Sequence, residues 1–212
     1  MAKTPRFPTD ISLREFITAV GSADDAHGTV SAAGVAASVG ASLLLRVAAL
    51  PHTASKSAHD STIAIDASMA LTEIQQQLME TVETETAVKI FAARNMPQQS
   101  DTQRTDRHVA LQLALRAAAD VPLEVMRLCA RGLQLAEALA ARCPRPAAAD
   151  VQLGAALLHA AFSGARANLE GKLTSLTDPS YLASVVDQIA RLSEEAATAA
   201  RTAESSGRIP PA

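Results

Sequence analysis

Residues 26–50, AHGTVSAAGVAASVGASLLLRVAAL, contain no charged side chain between Asp25 and Arg46, counting His27 as neutral. Ala and Leu are strong helix formers, strands rarely exceed about ten residues, and no proline interrupts the run. It therefore reads as one long helix. Small or apolar residues cover every side of it, which predicts a helix buried all round at the centre of the fold. Its small side chains let neighbouring helices approach closely. Gly28, Thr29, Ser31, Gly34, Ser38, Gly40 and Ser42 make it too weakly hydrophobic to read as a membrane span. Thr29 or Ser31 is the expected N-cap, and the free N–H groups behind it can receive an anion.

The rest of the composition agrees with a helical core. A chain of 212 residues predicts one domain, and 48% hydrophobic against 19% charged residues supplies a large interior. With four Phe, one Tyr and no Trp, that interior must be aliphatic. A net charge of −3 gives no reason to expect nucleic acid or an anionic membrane as partner. Cys129 and Cys143 have no CxxC spacing, which argues against a zinc site or a disulfide framework. His27, His52, His108 and His159 share no ligand spacing, so no metal is expected. MAKTPRFPTD has no apolar signal-peptide region, and the expected compartment is the cytoplasm.

Outward from the central helix, residues 1–9 read as an N-terminal arm, residues 10–205 as a single helical domain and residues 206–212 as a flexible tail. Asp10 or Ser12 caps a first helix in which Leu13, Phe16, Ile17 and Val20 repeat at helical spacing. Pro51 ends the central helix. A long helix is expected over residues 61–95, with Ile63, Met69, Ile74, Leu78 and Val82 on its apolar stripe. Residues 108–119 form another, and Asp120-Val121-Pro122 starts a separate one, with proline near its beginning. Asp150 opens a second small-residue helix, and an amphipathic helix runs over residues 179–204. No alternating strand pattern occurs. The fold class is all-α, a single-domain bundle of about six or seven helices with two buried Ala/Gly-rich central helices.

The order of these elements resembles a known family. A short helix leads to a Gly-containing turn and a buried Ala/Gly helix. A long acidic helix with a Pro stop follows, then ADVPLEVMRLCARGLQLAEALA at residues 119–140, then an Asp-initiated helix carrying Gly164-Ala165-Arg166-Ala167-Asn168. The pattern is similar to the cyclodeaminase/cyclohydrolase family, which includes methenyltetrahydrofolate cyclohydrolases and the cyclodeaminase domain of formiminotransferase-cyclodeaminase. It covers about residues 10–205. The resemblance implies a homodimer, a folate substrate and no separate cofactor. It also implies water addition to the methenyl bridge of tetrahydrofolate, with a carboxylate acting as general acid and base. Glu83 and Asp150 match the family's acids and are the expected catalytic pair. His27, Gly28, Thr29, Ser31, Asn168 and Lys172 are the expected substrate contacts, with Arg166 also placed to meet an anionic folate tail.

Two other readings stand beside this one. The family's glycine-rich turn is reduced to Asp25-Ala26-His27-Gly28-Thr29-Val30-Ser31, which favours a folate-binding or regulatory module that has given up turnover. Expulsion of ammonia from a formimino group is the other reading. Taken without the resemblance, Glu83 is a solvated helix acid, Asp150 an N-cap and Cys129 a small core residue.

Overall fold

Ser12 starts the first helix with a reciprocal cap. Its hydroxyl accepts from Glu15 N at 3.3 Å, while Glu15 Oε2 accepts from Ser12 N at 2.9 Å. The computed structural model describes residues 10–22, 28–50, 58–94 and 102–205. They form six α-helices and no strand among the described residues: α1 Leu13–Val20, α2 Thr29–Ala48, α3 Ala58–Arg94, α4 Thr102–Ala140, α5 Ala148–Leu173 and α6 Pro179–Ser205. A 3-10 turn, Arg145–Ala147, leads into α5. The arm at residues 1–9 and the tail at 206–212 lie outside the described residues.

Helix α2 packs against α3, α4 and α5. Its registers are readable from single contacts. Thr29 faces Gly164, Gly40 faces Gly154 and Arg46 pairs with Asp150, so α2 and α5 run antiparallel. The crossing is tight. A Cβ on Gly40 would lie 2.8 Å from Gly154 O, and a Cβ on Gly154 would lie 3.0 Å from Gly40 O. Two glycines facing one another let the backbones themselves touch, which no larger residue permits.

On its other flank, α2 meets α3 antiparallel. A side chain on Gly34 would strike Val82 Cγ2, and Gln75 Nε2 donates to Ser42 Oγ at 2.7 Å. Ser42 in turn donates to Ser38 O at 2.7 Å, and buried Ser38 donates to Gly34 O at 2.9 Å. The hydroxyls of the central helix are thus satisfied inside the bundle.

Helix α4 is parallel to α6. Tyr181 OH donates to Asp120 Oδ1 at 2.7 Å, Arg127 donates to Gln188 Oε1 at 2.6 Å and Gln134 donates to Glu195 Oε2 at 3.5 Å, each across 61 residues. The contacts recur every seven residues on both helices, the repeat of a coiled-coil seam. Arg131–Glu73 and Arg142–Asp60 ion pairs join α4 to α3 antiparallel. Helix α6 begins with Pro179 after Asp178, whose carboxylate accepts from Ser180 N and Tyr181 N. The Ser180 hydroxyl, foremost among these donors, holds the Asp178 carboxyl below its ordinary range.

Three expectations change. The N-cap of α2 is Gly28, with no side-chain hydrogen bond, in place of Thr29 or Ser31. The helix is not buried all round: Val30, Ala33, Ala37, Ala41 and Leu44 are buried, but Val39 is 50% exposed and Val35, Ala36 and Leu43 lie between. By length and hydropathy it also passes as a possible membrane span, although 56% of its most apolar stretch is buried. Its contacts with three neighbours mark it as a core helix. Finally, α4 is one helix through Pro122, where the sequence predicts two.

Candidate functional site

The antiparallel registers fix the level of each expected site residue along the bundle. Glu83 follows Val82 on α3 and lies at the level of the first turns of α2. Asn168 is one turn beyond Gly164, the residue that faces Thr29, so it too lies at the amino end of α2. Gly28, Thr29 and Ser31 form that end. Asp150 lies at the other. It is 18 residues from Asn168 on the same helix, about 27 Å along the axis.

Asp150, paired with Arg46 near the carboxyl end of α2, is not level with Glu83, which stands beside the residue facing Gly34. Nor does it cap α5, which begins at Ala148 with Ala147 in the cap position. It sits in the first helical turn, where the helix dipole favours a carboxylate, with Arg46 at 3.6 Å. Spacing along one helix placed it at the start of α5. The spacing carried no information about which end of the bundle it faces.

At the amino end of α2, Ser31 is fully buried and hydrogen-bonded, Gly28 is half-buried and Thr29 is exposed. Ser31 therefore belongs to the core, and only Gly28 and Thr29 border solvent. His27 lies outside the described residues. Glu83 is half-buried on α3. Gly28 and Thr29, Glu83, and Asn168 stand on α2, α3 and α5, elements far apart in the sequence, so no short motif could have linked them.

Asn168 is the distinctive member. Among the described residues, its Oδ1 is the one buried side-chain oxygen or nitrogen without a hydrogen-bond partner. An unpaired buried acceptor costs about 1–3 kcal/mol, so each one in a folded protein calls for an explanation. Oδ1 asks for a donor, an N–H or O–H group.

Lys172, one turn further along α5, is already engaged: its Nζ donates to Ala118 O at 2.9 Å. Arg166 pairs with Glu170 at 2.8 Å on the exposed surface. Both cations thus have protein partners. Nearby, Arg116 stacks 4.4 Å over the Tyr181 ring and pairs with Asp178 at 3.6 Å. Burial, with the bond to Asp120, pushes the Tyr181 hydroxyl far up, so it stays a neutral donor. Sequence reasoning missed this staple between α4 and α6, although the 61-residue offset repeated across the two helices is its signal.

Cys129 is fully buried, and burial pushes its thiol far above the usual range. It is a core residue, as its surroundings in the sequence predict. No group of three or more His, Cys, Asp or Glu able to hold a metal occurs among the described residues.

Comparison with known proteins supplies the frame for this geometry. The family model described as formiminotransferase-cyclodeaminase matches residues 12–191. The chain is 28% identical over 190 residues to the formimidoyltransferase-cyclodeaminase of Gallus gallus, covering 87% of this chain but 34% of that protein. The chain thus spans about a third of that relative's length. A crystal structure of formiminotetrahydrofolate cyclodeaminase from Thermotoga maritima superposes with a TM-score of 0.80, covering 92% of this chain and 95% of that one at 19% identity. That likeness shows a shared fold.

Proposed function

Since the chain belongs to the formiminotransferase-cyclodeaminase family, we propose that it is a folate enzyme whose site is the amino end of α2, between Glu83 and Asn168. The observation that carries this reading is the unpaired Oδ1 of Asn168, a buried acceptor one turn beyond the residue that faces Thr29. A reduced pterin presents ring and amino N–H donors of the kind that oxygen lacks.

The reaction favoured by the relatives' names is cyclodeamination. In a 5-formimino group, the N10 nitrogen attacks the amidine carbon and loses its proton. The exocyclic nitrogen takes up a proton and leaves as ammonia, and the 5,10-methenyl bridge closes. One carboxylate can accept the first proton and return it to the departing nitrogen. Glu83 is that carboxylate. It also faces the cationic amidine whose charge persists through the step, which stabilises it electrostatically.

Hydrolysis of the methenyl bridge to the 10-formyl product is the second reading. It uses the same carboxylate to deprotonate water and protonate N5, so the site accommodates either. Two assays separate them. Purified chain given 5-formiminotetrahydrofolate releases ammonia in step with methenyl absorbance if cyclodeamination is correct. Given 5,10-methenyltetrahydrofolate, it accelerates the loss of that absorbance over buffer if hydrolysis is correct. Failure of both, with folate bound in calorimetry, leaves a binding module. Absence of binding as well removes folate from the account.

A second copy of the chain is the proposed cover for the open face of α2. Val39 on α2 and Leu153 on α5 are 50% and 53% exposed, and both lie on the pair of helices that cross at Gly40 and Gly154. Sedimentation velocity is expected to give about twice the 22.0 kDa monomer mass, and Val39→Glu is expected to return it to the monomer. A monomer at all concentrations would sink the dimer. The cytoplasm is the proposed compartment, to be checked by fractionation.

A further inference from the structure

Pro122 lies inside α4 and has no N–H, so the carbonyl four residues back loses its helical donor. That carbonyl belongs to Ala118. It is not left open, because Lys172 Nζ donates to it at 2.9 Å from α5. A proline normally bends or ends a helix, yet α4 continues from Thr102 to Ala140. Lys172 stands in the last turn of α5, where its charge also suits the helix dipole. Asn168 precedes it by one turn on the same face.

We propose that Pro122 and Lys172 form a clasp, in which the ammonium replaces the N–H that proline removes and holds the end of α5, with Asn168, in register against α4. Lys172 is then a positioning residue for the site and makes no contact with substrate. Its link to turnover rests on the folate reading above; the clasp itself does not. The device explains why the resemblance placed Lys172 among the substrate contacts: it is one turn from a residue that faces the site, with its charged end directed elsewhere.

Four proteins test this: the wild type, Lys172→Met, Pro122→Ala and the double variant. Methionine keeps the aliphatic stem and removes the donor. Lys172→Met is expected to lower Tm by about 3–8 °C, the scale of losing a hydrogen bond from a charged group in a chain of this size. With Ala at position 122, its own N–H serves Ala118 O, and the effect of Lys172→Met falls below about 2 °C. The same set, assayed on folate, is expected to show kcat/KM lowered in Lys172→Met and restored in the double variant. A lysine that touches substrate cannot be rescued by changing a proline on another helix. An equal Tm loss in both backgrounds, or activity that Pro122→Ala fails to restore, overturns the proposal. Thermal coupling in a wild type inert toward every folate supports the clasp and rejects the folate reading.

Discussion

Gly40→Val is expected to cost about 3 kcal/mol or more and to lower Tm by roughly 6–12 °C. The new Cβ meets Gly154 O at 2.8 Å, with Leu157 Cβ and Leu158 Cγ each at 3.2 Å. The first of these atoms is backbone, so no rotamer change relieves the clash. Either α2 and α5 separate along their crossing, losing contacts among Ala41, Leu44, Ala155 and Leu158, or the local helix deforms. Valine adds its own helix penalty through the stiffness of its side chain.

Gly171→Ala is the control. It is helical, and nothing lies within 4 Å of the added methyl group. Its expected effect is a gain of about 0.5–1 kcal/mol, or 1–4 °C. Thermal denaturation followed by circular dichroism reads both variants. A Gly40→Val protein as stable as the wild type would mean that the crossing is looser than its backbone distances indicate.

The second large effect falls on turnover. Glu83→Gln keeps the shape of the side chain and removes its ability to accept a proton. If Glu83 is the general base, kcat falls by about 10²–10⁴-fold while KM changes little, since a proton-transfer group acts in the transition state more than in binding. Asp150→Asn, at the far end of the bundle, is expected to leave kcat within about threefold of the wild type. Stopped-flow or steady-state absorbance at the methenyl band measures both. A reversed order, with Asp150 essential and Glu83 dispensable, would move the site to the carboxyl end of α2.

The contrast between those two acids shows what the sequence discloses. Helical periodicity is a local property, and it located α1, α3, α5 and α6 to within a few residues. The buried Ala/Gly helices announced themselves because only small residues permit the Gly40–Gly154 approach. Position along a helix is also local, and Asp150 was found in the first turn of the helix it was expected to open.

Which end of a bundle a residue occupies depends on antiparallel packing, and no run of residues encodes that. Pro122 misled for a related reason. The rule that proline starts a helix considers only the backbone donors nearby, and the donor that rescues α4 comes from Lys172, 50 residues later in the chain. The unpaired state of Asn168 Oδ1 is likewise illegible until its protein neighbours are in place.

The crossing at Gly40 and Gly154 sets a timetable for the nascent chain. Its two halves are 114 residues apart in sequence. At about 5–20 residues per second, a ribosome takes roughly 6–20 s to make the second half after the first. Throughout that interval α2, almost without charge, has no α5 to rest against. Until then α2 has α3 to rest on but its other flank stays open, and that nearly uncharged face is what most needs protection from aggregation during synthesis.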